Sequence, residues 1–98
     1  MFKKRNIKEE ILKVEILNRI KLILNNYNHE FKEITTIYLS NQESFIGNIK
    51  LFDLNKLDEV LSKLSSLLEE YGKNSHNTDK VESCCSQTYY LISFKVNV

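Results

Sequence analysis

At 98 residues, 42% of them apolar and 28% charged, the chain has the size and composition of one globular domain, which excludes an intrinsically disordered polypeptide. No stretch approaches the ~18 consecutive apolar residues a transmembrane helix needs. Fourteen Lys and Arg against thirteen Asp and Glu leave a net charge of +1, which excludes strong attraction of the whole molecule to nucleic acid or an anionic membrane.

The basic N-terminus runs into Glu9, Glu10 and Lys13, unlike the apolar centre of a secretory leader. Cys84 and Cys85 are adjacent, where a mutual disulfide is strained, and there is no other cysteine to build a framework. A cytoplasmic protein is expected. Twelve Lys, eleven Asn and ten Ile, with no Ala, Pro or Trp, point to an AT-rich genome, such as that of a low-GC bacterium or its phages and plasmids. Lysine abundance driven by codon bias is weak evidence for phosphate binding.

In chain order, a first helix is expected over residues 6–26, with Asn6 as N-cap and Glu9 completing a capping box. Projected at 100° per residue, Leu12, Ile16, Leu17, Ile20, Ile23, Leu24 and Tyr27 form one broad apolar face. Ile7, Ile11, Val14 and Leu22 form a second, opposite stripe, which Asn18 and Asn25 continue. A surface helix normally carries one stripe. Residues 34–40 are β-branched and aromatic and read as a strand. Residues 45–52 alternate as a second, and the polar residues 40–44 join them in a hairpin.

A second helix is expected over 55–71 from the spacing of Leu54, Leu57, Leu61, Leu64, Leu68 and Tyr71, with Asn55 as N-cap and Gly72 at the C′ position. Residues 72–87 are polar, with Val81 their only aliphatic member, and read as a long exposed loop. Residues 88–98 alternate as a last strand with Tyr90, Ile92, Phe94, Val96 and Val98 on one face.

The expected fold is therefore α+β: a single αββαβ domain over 1–98, a two-layer sandwich with both helices on one face. Its mostly antiparallel three-stranded sheet has order 2-1-3, with the last strand beside the first. A basic arm (1–6) and the polar loop 72–87 complete it.

Chemistry-bearing residues are few. His29, His76, Cys84 and Cys85 lack zinc-ligand spacing, so no metal is expected, and a Cys–His dyad with His29 is unmarked by any motif. Two isolated glycines cannot make a phosphate loop. Asp53, Asp58, Glu59, Glu69 and Glu70 lie off the leucine stripe and read as a solvated face. The chain is read as a non-enzyme without a cofactor.

The expected function is a small protein-interaction module: an inhibitor, immunity or accessory protein, such as mobile elements encode. It would act as a homodimer through Ile7, Ile11, Val14, Asn18 and Leu22. The alternative is a dimeric nucleic-acid-binding accessory protein using Lys3, Lys4, Arg5 and Lys8, since residues 1–50 carry nine basic and six acidic side chains. No membrane association is expected.

Overall fold

The computed structural model describes residues 7–39, 42–82 and 87–97. Helix α1 spans Ile7–Leu24, strand β1 His29–Glu30, β2 Ile34–Leu39 and β3 Gln42–Leu51. A 3-10 turn, Leu54–Lys56, leads into α2, Leu57–Glu69, and β4, Asn74–Val81, precedes β5, Tyr89–Asn97. The chain is α+β, with two helices and a five-stranded antiparallel sheet.

Three expectations need correction. Most of the stretch expected as a polar loop is β4, which pairs antiparallel with β5 from Asn74 opposite Val96 to Val81 opposite Tyr89. The last strand does not lie beside the first long strand. It pairs with β3, Ser44 opposite Asn97 through Leu51 opposite Tyr90, so the sheet order is β1-β3-β5-β4 with β2 also on β3. Asn55 does not cap α2. It sits inside the 3-10 turn, and Asp53, just before it, accepts a 2.8 Å hydrogen bond from the Asn28 N–H. The expected arm, residues 1–6, lies outside the described residues.

Strands β1 and β2 share one edge of β3 but are out of step. Glu30 pairs with Lys50 and Ile34 with Gly47, so three residues, 31–33, face two, 48–49. This is a β-bulge, which bends the strand and re-aims its side chains.

One face of the sheet, carrying Ile34, Phe45, Ile49, Leu51, Ile92, Phe94 and Val96, joins Ile16, Ile20 and Leu24 of α1 and Val60, Leu64, Leu67 and Leu68 of α2 in a single core. Gly47 sits within this face because the Phe94 ring lies over it. A Cβ there would stand 2.5 Å from Phe94 Cζ, and the ring reaches across to Phe31 with centroids 6.1 Å apart. Gly72, beyond α2, has φ +153°, and a Cβ would strike the Asn97 carbonyl oxygen. There Asn97 N–H donates to the Lys73 carbonyl at 2.8 Å, bringing β4 in beside β5.

The chain is two αββ halves. At one constant offset, Glu15, Ile16, Arg19, Ile20, Ile23, Leu24 and Tyr27 of the first helix become Glu59, Val60, Lys63, Leu64, Leu67, Leu68 and Tyr71 of the second. Each helix is followed by a hairpin, β2–β3 or β4–β5. The two inner strands, β3 and β5, pair antiparallel, which places a pseudo-two-fold axis between them.

Candidate interaction surface

The pseudo-symmetry shows first in the contacts that fasten the helices together. Tyr27 Oη donates to Glu59 Oε2 at 2.6 Å and accepts from Lys63 Nζ at 3.0 Å. Tyr71 Oη donates to Glu15 Oε1 at 3.1 Å and accepts from Arg19 Nη1 at 2.9 Å. Each tyrosine, at the end of its own helix, is thus gripped by an acid and a base from the other half. The bases also lie over the rings, Arg19 Cζ 5.6 Å and Lys63 Nζ 5.3 Å from the centroids. Arg19 adds a bidentate pair to Glu70 at 3.0 and 2.8 Å.

These bonds hold the groups in their charged forms. The Tyr27 hydroxyl lowers the Glu59 carboxyl and raises the Lys63 amine from their ordinary values. The Arg19 guanidinium lowers the Glu70 carboxyl, and Glu70 and then Tyr71 raise Arg19. All four titrating groups are at the surface and committed to fixed partners that join α1 to α2. The acids expected to form a plain solvated face include two, Glu59 and Glu70, that hold the helices together.

Beyond these clusters, α1 turns its second stripe away from the core. Ile11 is 61% exposed, Val14 51% and Leu22 72%, and Asn18, also exposed, lies between the last two. No other part of the described chain covers them. Ile7 falls in the first turn of α1, where only the backbone is described. Leu22 also borders an open groove between the helices, of about 450 Å³, with Ile23 and Leu67 on its floor and Ser62 and Ser66 opposite.

Helix α2 supplies an internal comparison. At the same offset that relates the two core faces, Ile11 becomes Asn55, Val14 becomes Asp58, Asn18 becomes Ser62 and Leu22 becomes Ser66. All four of these residues are exposed. The two helices agree in what they bury and differ in what they leave outside: one outer face is polar, the other apolar. Sequence reading found the apolar stripe but missed the repeat that gives it a reference.

The remaining candidates are not brought together. His29 Nδ1 is 2.8 Å from the Tyr27 carbonyl oxygen, and His76 stands exposed on β4 at the far edge of the sheet. Cys84 and Cys85 lie outside the described residues, as do Lys3, Lys4 and Arg5, and Lys8 is described only in its backbone. Among the described residues no cluster of three or more His, Cys, Asp or Glu could hold a metal ion, and no helix is long and apolar enough to cross a membrane. The open face of the sheet carries one aromatic pair, Phe52 edge-on to Tyr89 at 5.6 Å, with Lys50 Nζ 5.2 Å from the Tyr89 centroid.

The candidate surface is therefore the outer face of α1. The chain matches no protein-family model, no curated protein and no solved structure.

Proposed function

We propose that this protein is a non-enzymatic protein-interaction module that self-associates through the outer face of α1. The observation that carries the reading is the contrast between the two halves. The scaffold places Asn55, Asp58, Ser62 and Ser66 where the 3-10 turn and α2 meet water, and Ile11, Val14, Asn18 and Leu22 at the equivalent positions of α1. A row of large apolar side chains left open to water is a surface that proteins normally cover.

The row is its own complement. Two α1 helices crossing antiparallel about Asn18 set Val14 of each copy against Leu22 of the other, with the two Asn18 amides meeting at the centre. One polar residue in an apolar seam fixes its register at some cost in stability, and a two-fold axis uses the same patch twice.

Sedimentation velocity tests this. The wild-type chain is expected to sediment above the monomer. Ile11→Asp/Val14→Asp should remove this contact while leaving the far-UV circular dichroism and the melting temperature nearly unchanged, because both positions are exposed in the single chain. A wild-type monomer at several hundred micromolar, or a double variant that unfolds, overturns the reading.

A further inference from the structure

The sheet ends in two very different edges. β4 carries His76, Asp79 and Lys80 among other polar residues, and natural sheets use such charges to refuse further strands. β2 reads Ile-Thr-Thr-Ile-Tyr-Leu, with no charge, proline or glycine, and every residue but leucine is among the strongest strand formers. Among the described residues no strand lies on its outer edge. Its Tyr38 is 60% exposed. The stretch is also bounded, since the bulge at 31–33 puts exposed Lys32 and Glu33 immediately before it.

We propose that β2 pairs edge to edge with β2 of a second copy, antiparallel about Thr36, joining two sheets into one. The strand is complementary to itself in that register. Thr36 meets Thr36, Ile34 meets Tyr38 and Thr35 meets Ile37, so the opposed side chains are hydroxyl to hydroxyl, β-branched to aromatic and β-branched to β-branched, with no charge opposed to any other. A two-fold axis normal to the sheet keeps each half's helices on the same side. β4 offers no such match, because its charges would be brought to the seam.

The inference does not rest on the α1 contact, and it changes what the α1 contact would build. A two-fold axis normal to the sheet leaves the α1 outer faces of both copies on the same side, so the two contacts need different axes and an assembly that uses both contains at least four copies.

The test is sedimentation velocity on the full chain carrying Ile11→Asp/Val14→Asp, which removes the α1 contact. This variant is expected to be a dimer. Adding Thr35→Lys and Ile37→Lys sets two introduced lysines opposite each other across the seam, and Kd should rise about tenfold or more. Both positions are on the sheet face away from the helices, so the circular dichroism spectrum should not change. Replacing the second change with Ile37→Glu opposes the introduced base to an introduced acid and should restore the dimer.

A monomeric Ile11→Asp/Val14→Asp protein, an unaltered Kd in the lysine pair, or no recovery in the Lys/Glu pair overturns the proposal. If instead wild type and the α1 variant are both dimers and the lysine pair is a monomer, the α1 reading fails and the β2 pairing stands.

Discussion

Replacing Gly47 by alanine sets two effects of opposite sign against each other. Glycine inside a strand costs roughly 0.5–1 kcal/mol relative to alanine, so on backbone freedom alone Gly47→Ala would stabilise. Packing opposes it. The new methyl carbon would stand 2.5 Å from Phe94 Cζ and 2.7 Å from Cε2, where carbon atoms prefer about 3.5–4 Å. The ring has nowhere to go, being 3% exposed and held against Phe31. Overpacking of this kind costs about 1–3 kcal/mol. A net loss of up to about 2.5 kcal/mol remains, and the melting temperature should fall by up to roughly 20 °C for a domain of this size.

The decisive measurement is a double-mutant cycle with Phe94→Leu, followed by urea unfolding. With the ring removed the clash disappears and only the backbone effect is left, so Gly47→Ala should become neutral or stabilising. The expected coupling between the two positions is about 1–3 kcal/mol. Equal losses from Gly47→Ala in both backgrounds would show that the glycine serves something other than the ring above it.

Thr78 Oγ1 is buried without a hydrogen-bond partner, so Thr78→Val, which keeps the shape and removes the hydroxyl, should raise stability by about 1 kcal/mol or more in a thermal melt. Gly72→Ala should cost about 1–3 kcal/mol or more, since φ is +153° and the methyl would meet the Asn97 carbonyl, and hydrogen exchange should quicken first in β4. Glu59 and Glu70 are held below their ordinary carboxyl values, so their contribution is present above that range and is lost as pH falls through the lowered values. Glu70→Gln should therefore flatten the acid limb of a melting-temperature profile. Lys63 is raised, so its contribution is complete below the ordinary lysine value and fades as pH climbs past the raised one. Lys63→Met should flatten the alkaline limb.

The helices were legible because each buries a periodic face. The leucines of α2 and the broad face of α1 fall where burial requires them, and Ile92, Phe94 and Val96 face the core as their alternation implies. β4 was not legible because it has no apolar face to betray it. His76 and Lys80 point to the same side as Phe94 and Tyr90 and yet are exposed, so the strand forms on the hydrogen bonds that β5 offers. Missing β4 also misplaced β5, which counts as an inner strand only once a neighbour stands outside it. Apolar Tyr89 and Leu91 on its second face were a hint of that interior place. The bulge left no mark, since a single extra residue among Phe31, Lys32 and Glu33 breaks no pattern. Of the candidate surface, the stripe on α1 was visible by projection, whereas the repeat that sets it against α2 lay in plain spacing and was hidden by how little β2 and β4 resemble each other.

The repeat also bears on how this chain can misassemble. The centre of the sheet is the β3–β5 pair, formed between halves that are joined along the chain by the short passage around Phe52 and Asp53. Without the second half, the first would have the inner edge of β3 bare and only part of the core to cover its apolar face. The partner it waits for is a helix and hairpin that any other copy can supply in the same geometry, down to the tyrosine grips. Two chains that exchange C-terminal halves would keep the β3–β5 ladder and the tyrosine grips and alter only the passage at Asp53 and its bond to Asn28. Domain swapping at high concentration during refolding is the kinetic hazard built into a fold made of two like halves.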